Sequence, residues 1–170
     1  GGGGDDYIRG GKGNDLLDGG EGNDILSGGI NDDTLEGGLG NDFLRGGKGN
    51  DVLIGGEGND VLIGDKGVNS LTGGNGADHF ILNSMGNTQG DTILDFNATQ
   101  GDKIGITTDV SMVQLTTSGS DILIQVSGAT IGTVKNAALD SVKASLFTVA
   151  APTGGVQDAL PPGDAAFRIG

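Results

Sequence analysis

Large apolar side chains recur at every ninth position: Ile8, Leu17, Leu26, Leu35, Leu44, Leu53, Leu62, Leu71 and Phe80. Two places before each stands Asp6, Asp15, Asp24, Asp33, Asp42, Asp51, Asp60, Asn69 or Asp78. Glycines open every unit, so the pattern reads Gly-Gly-x-Gly-x-Asp-x-apolar-x, and nine copies fill Gly1 to Ile81 without insertion or deletion. A fixed short period of this kind marks a repeat architecture. Glycine at the first, second and fourth places admits positive φ, so the first six residues of a unit suit a tight turn with inward carbonyls. The last three then form a short strand, with the eighth position facing in and the seventh and ninth facing out. Two units make one coil, and units n and n+2 stack at the spacing of neighbouring strands, about 4.8 Å. The predicted fold is all-β, a parallel roll of two sheets.

Stacking sorts the acidic residues into two columns: Asp6, Asp24, Asp42, Asp60 and Asp78 in one, Asp15, Asp33, Asp51 and Asn69 in the other. Carboxylates about 5 Å apart repel by roughly 3 kcal/mol at an effective dielectric of 20. A hard dication between stacked pairs reverses the sign. Ca²⁺ suits such a site because it takes six to eight oxygens, backbone carbonyls included, whereas Mg²⁺ demands a stricter octahedron and keeps its waters. Adjacent pairs predict four sites in the first column and three in the second, about seven in all. The pair that includes Asn69 lacks a carboxylate and is expected to be weakest.

Composition sharpens this. The 170 residues include 37 glycines, no cysteine, and a formal charge of −14. Nine large apolar side chains make a thin core for 81 residues, and a chain without cysteine has no disulfide to help, so a metal is the expected stabiliser. Nine Lys and Arg in this acidic field give no basic footprint for nucleic acid. No 18-residue apolar run predicts a membrane helix, and no basic, apolar leader opens the chain. The sequence starts in phase with the repeat, as a piece of a longer protein would. The single histidine, His79, sits outward at the end of the repeat with no partner for catalysis. No serine elbow, zinc motif or complete phosphate loop occurs. Glycosidases use paired carboxylates, but here the pairs are periodic along a column, which favours calcium.

The unit closely resembles the nonapeptide GGxGxDxUx of the RTX (repeats-in-toxin) family, U being a large apolar residue. This resemblance implies a right-handed parallel β-roll and export through a type I channel to a secreted or cell-surface location. It also implies that Ca²⁺ is held by the position-six aspartates with turn carbonyls. Those carbonyls are at position one (Gly1, Gly10, Gly19, Gly28, Gly37, Gly46 and Gly55) and position three (Gly3, Lys12, Glu21, Leu39, Lys48 and Glu57). Departures are Asn31 for the fourth glycine of one unit, and Asp65, Val68 and Asn69 at positions two, five and six of another.

After Ile81 the glycine period stops. Alternation predicts strands at Thr92 to Phe96, Lys103 to Ile106, Val113 to Thr117, Asp121 to Val126 and Thr130 to Lys135, while Leu139, Val142 and Leu146 have helical spacing. Asp91-Thr92-Ile93-Leu94-Asp95-Phe96 followed by Gly101-Asp102-Lys103-Ile104 resembles the segment after the repeats in serralysin-type proteases; their zinc helix is not among these residues. The expected domains are a calcium-binding roll at 1–81, a β-rich cap at 82–150 protecting the open end of the solenoid, and a tail at 151–170 holding Pro152, Pro161 and Pro162.

The outward positions of the odd units, Tyr7, Ile25, Phe43 and Val61, form a more apolar face than those of the even units. That face is expected to meet a partner, another copy or the parent protein; a cross-strand ladder is the plainer account. The functional expectation is a noncatalytic calcium-binding module of an exported protein, unfolded at low calcium and folding outside the cell. The alternatives are a surface-layer or filament subunit and a carbohydrate-binding module of an exported enzyme.

Overall fold

A computed structural model describes residues 1–83 and 90–149; the tail expected at 151–170 lies outside them. In the repeats, strands run β1 (Gly2–Gly3), β2 (Tyr7–Lys12), β3 (Leu16–Glu21), β4 (Ile25–Ile30), β5 (Thr34–Leu39), β6 (Phe43–Lys48), β7 (Val52–Glu57), β8 (Val61–Lys66), β9 (Ser70–Asn75) and β10 (His79–Leu82). Beyond them come β11 (Asp91–Ile93), β12 (Lys103–Ile106), β13 (Val113–Ser118), β14 (Asp121–Val126), β15 (Ala129–Val134), helix α1 (Leu139–Ser145) and β16 (Leu146–Thr148). Sheet A has the order β1-β3-β5-β7-β9-β11-β15-β14-β13, and sheet B the order β16-β12-β10-β8-β6-β4-β2. Every pair of repeat strands is parallel, with partners 18 residues apart, such as Leu26 with Leu44. The protein is therefore an all-β, parallel two-sheet roll.

One expectation is corrected. Strands occupy six residues per unit, not three: they run from position seven through position three of the next unit, and the turn keeps only positions four to six. Glycine propensity points to a turn at positions one to three, but register overrides it. Each coil finds a copy of itself one coil on, so the backbone groups there pair, as in Gly11 with Gly29 and Lys12 with Ile30. The second glycine bends the strand at positive φ without breaking the ladder, as Gly29 does at φ 120°. Asn31 and Asp65, which replace glycines, take φ of 82° and 67° themselves. Asn and Asp are the residues that tolerate this region best.

Position eight fills the space between the sheets. Leu26, Leu35, Leu44, Leu53, Leu62, Leu71 and Phe80 are fully buried in one cluster, with Leu17 nearly so. The two sheets do not end with the repeats. Ile93 registers with Leu71 on sheet A, Ile104 with Phe80 on sheet B, and Leu146 with Ile104 beyond it. An antiparallel meander then closes sheet A, with Val134 opposite Ile122. Its β14–β15 turn places Ser127 and Gly128 at φ 52° and 82°, the two positive angles a two-residue hairpin favours. Three predicted strands shift at their ends. β11 stops at Ile93 instead of Phe96 because the Asp95 carboxylate turns back to the Gly73 and Gly74 N–H groups. β13 gains Ser118, and β15 runs one residue earlier than expected. The predicted helix is present but stops before Leu146, which joins sheet B, leaving Val142 as its buried residue.

Because Leu44 sits in the inner ladder and Leu16 projects outward, Leu44→Ala is expected to cost about 2–5 kcal/mol. Leu16→Ala should stay within about 0.5 kcal/mol. Denaturant unfolding in calcium measures both, and equal costs contradict the inward placement.

Candidate metal centre

The turns between strands carry the aspartates, and the coil repeat sets them one above another. Asp24, Asp33, Asp42, Asp51, Asp60 and Asp78 are no more than 2% exposed, while Asp6 and Asp15, in the first coil, are half-buried. Beyond the first coil each Oδ1 is engaged in the same way, accepting the backbone N–H of the aspartate one coil earlier. Asp6 donates to Asp24 (2.7 Å), Asp24 to Asp42 (2.7 Å), Asp42 to Asp60 (2.8 Å) and Asp60 to Asp78 (2.9 Å). In the second column Asp15 donates to Asp33 (2.8 Å), Asp33 to Asp51 (2.9 Å) and Asp51 to Asn69 Oδ1 (2.8 Å). Both predicted columns are thereby assembled.

The other oxygen is the informative one. Among the described residues, Oδ2 of Asp15, Asp24, Asp33, Asp42, Asp51, Asp60 and Asp78 is buried with no hydrogen-bond partner. A buried carboxylate oxygen without a donor costs several kcal/mol unless a cation meets it. Each Oδ2 lies against the first glycine of its own unit. A Cβ added at Gly19 would overlap both Asp24 Oδ2 and the carbonyl oxygen of Gly37, one coil on. The same convergence of carboxylate and carbonyl occurs at Gly1 with Gly19, Gly28 with Gly46, Gly37 with Gly55, and Gly55 with Gly73; at Gly10 and Gly46 the crowding is from Asp15 and Asp51. Position one is glycine because any side chain would fill this oxygen-lined cradle. No group of three or more His, Asp or Glu side chains converges among the described residues, so carbonyls must complete a hard-cation donor set.

The position-three carbonyls of Glu21, Leu39, Lys48 and Glu57 already accept N–H groups from Gly4, Gly22, Asn31 and Gly40 at 2.7–2.8 Å, which uses one of their two lone pairs. Gly3 and Lys12 lie in the first coil. Asn69 differs in kind: its Nδ2 stands where other units hold Oδ2 and donates to Asp91 Oδ1 at 2.8 Å.

Two column members escape the sequence pattern. Asp91 Oδ1 also accepts the Asn69 N–H, and Asp102 Oδ1 the Asp78 N–H at 3.0 Å. Their separations of 22 and 24 residues break the 18-residue step. The legible signal was the string Asp-x-Ile at Asp91 and Asp102, which copies positions six to eight. A second ladder, also unforeseen, runs along position five: Asn41 N–H donates to Asn23 Oδ1, and Asn59 N–H to Asn41 Oδ1. His79 is half-buried, with its ring 5.5 Å from that of Phe147. Burial, followed by the charge of Lys103, lowers its pKa.

Desolvation dominates the electrostatics. It pushes Asp60 up to about 7, and Asp51 and Asp78 to about 6, with neighbouring carboxylates adding to the rise and the N–H donors opposing it. Asp33, Asp42 and Asp102 are raised for the same first reason.

A family model described as the RTX calcium-binding nonapeptide repeat (4 copies) matches residues 1–35, 27–62 and 54–84. No protein of curated function matches the chain by sequence. Among solved structures, the extracellular lipase LipA from Serratia marcescens is 19% identical with a TM-score of 0.46, covering 84% of this chain and 38% of the lipase. The chain thus spans well under half of that enzyme's length. The AlgE6R3 subunit of the Azotobacter vinelandii mannuronan C5-epimerase is 24% identical with a TM-score of 0.33, covering 90% of this chain and 93% of the subunit.

Unfolded carboxyls titrate near pH 4. With folded values at about 6 to 7, the metal-free roll binds extra protons between those limits. This proton-linked stability is complete below about pH 4 and is lost as pH rises through 6 to 7. In chelator, where the unprotonated columns favour coil at pH 8, β structure should therefore increase as pH falls to 5, as read by circular dichroism. A fall over that range contradicts the buried columns.

Proposed function

We propose a function from one premise: the first half of the chain, residues 1–84, belongs to the family of RTX calcium-binding nonapeptide repeats. The chain is a noncatalytic calcium-binding module whose folding is switched by the ion. The observation that carries this reading is the set of buried Oδ2 atoms, each aimed at a glycine cradle and left without a donor by the protein. Bound calcium supplies the positive charge that the columns lack. Asp6, Asp24, Asp42, Asp60 and Asp78, with Asp15, Asp33 and Asp51, hold it. The position-one carbonyls complete the donor set, and the spare lone pairs of position three lie in the same turns.

Pairs along the columns give about seven ions. The Asp51–Asn69 step is weakest because Asn69 presents a neutral amide whose nitrogen is already committed to Asp91. Extracellular modules bind calcium at about 10⁻⁴ to 10⁻³ M. At cytosolic calcium the like-charged columns oppose compaction, and at extracellular calcium mass action favours the folded form. This fits a module that crosses a membrane unfolded and acts outside the cell. The strands beyond the repeats, β11 to β16, extend both sheets and cover the last coil, which supports a capping role for the region expected at 82–150. Among the described residues no helix is long and apolar enough to cross a membrane.

Circular dichroism tests the reading. At pH 8 the spectrum should be coil in chelator and β in millimolar Ca²⁺, with a steep midpoint; β structure that chelator leaves intact at that pH sinks it. Asp42→Asn should raise the calcium midpoint by roughly three- to tenfold, on the order of 1 kcal/mol. Asp18→Asn, the same charge change on an exposed outer position, should shift it by less than about twofold.

A further inference from the structure

Ile25, Ser27 and Phe43 lie on the outer face of sheet B, where alternation along β4 and β6 turns positions seven and nine away from the core. On the matching face of sheet A none of these positions is buried: Leu16 is 80% exposed and Val52 39%, while Thr34, Ile54, Ser70 and Thr72 are intermediate. Ile25 and Phe43 are each only 7% exposed, and Ser27 8%. Ladder neighbours account for part of the contrast, since Ile25 lies between Tyr7 and Phe43 and Phe43 between Ile25 and Val61, but Ser27 is shielded as well although its ladder neighbours are Arg9 and Arg45. Ile25 and Phe43 pack with Val61 and Ile63 as an apolar cluster separate from the core, bordered by the Arg45–Asp65 ion pair at 2.5 Å. One face of a single sheet layer is shielded to this degree when a further segment lies upon it.

Two stretches of chain lie outside the described residues, 84–89 and 150–170. The first has to connect Asn83 to Gly90. Six residues reach about 20 Å at full extension, whereas a path from β10 to β4 and back crosses three strand spacings each way, about 29 Å. The second has ample reach, about 70 Å for 21 residues, and β16 is five spacings from β4, about 24 Å. Its point of departure is on the right side of the sheet. Val149 packs over Gly105, beside Ile81 and Phe147, so the chain leaves the described region on this same outer face. Its chemistry also matches. Leu160, Phe167 and Ile169 offer apolar side chains, Asp158 and Asp164 complement Arg9 and Arg45, and three prolines suit an extended segment that adds no strand.

We propose that the outer face of sheet B is the docking surface for the chain's own C-terminal segment, residues 150–170. The segment straps the end of the molecule back across the second to fourth coils of that sheet and covers an apolar strip that would otherwise recruit another copy.

The absence of cysteine makes the test direct. In the full chain in millimolar Ca²⁺, the Ser27→Cys thiol should react with a maleimide about tenfold more slowly than the Ser70→Cys thiol on sheet A. The added pair Leu160→Ser and Phe167→Ser should raise the Ser27→Cys rate to that of Ser70→Cys with the β spectrum unchanged. Equal rates at the outset, or protection that persists in the pair variant, overturn the proposal. Protection that grows with protein concentration assigns the face to a second copy and overturns it too. A measurement that needs no weakening variant is a nitroxide on Ser27→Cys, which should broaden the amide resonances of 150–170 within one molecule; sharp signals there refute the strap. The calcium dependence of the β spectrum is read separately, so either idea can fail without the other.

Discussion

Everything in this molecule is organised by the requirement that carboxylates be stacked one above another and removed from water. The coil satisfies half of that requirement alone, since beyond the first coil one oxygen of each column aspartate takes a backbone N–H from the coil before it. The other half is left open by seven of the aspartates of the repeats. Hydrogen bonding fixes where the acidic groups stand, and the unmet oxygen fixes what they need. A protein of neutral side chains with the same ladder would fold without help but would have no reason to respond to an ion. Here structural order and ligand demand reside in the same side chain.

Much of this is written in the period. The phase of the apolar residues assigns the inner ladder, and the phase of the aspartates assigns the columns, because strict spacing leaves one way to superpose the coils. What the period misreads is local. Glycine at positions one and two signals a turn by propensity, yet those residues belong to strands, since stacking gives their backbones partners that propensity does not count. The first glycine is required less by φ than by the cradle, a fact of three dimensions. Asp91 and Asp102 were hidden because the segments before them change length, although the strings around them still imitate the repeat.

The departures within the repeat also make sense only in space. Asp65 occupies a glycine position, adopts the positive φ of that position, and pairs with Arg45 on the neighbouring strand. Asn69 substitutes a donor for an acceptor and spends it on Asp91. Neither is a random lapse of the motif. Each exchanges a generic feature of the coil for a contact specific to one level of the solenoid.

The 18-residue register makes unit number a matter of parity. Every nonapeptide presents one large inner apolar residue, leucine in seven of the nine, so losing one unit would leave the interior intact while transferring all later units to the opposite sheet. Loss of the unit from Gly46 to Ile54, for instance, would carry Asp65 across the roll from Arg45 and break their bond. Losing two adjacent units would instead return each later residue to its own side. The interior tolerates any count, whereas the outer surfaces recognise only even changes, so the solenoid can lengthen or shorten without scrambling its exterior only a full coil at a time.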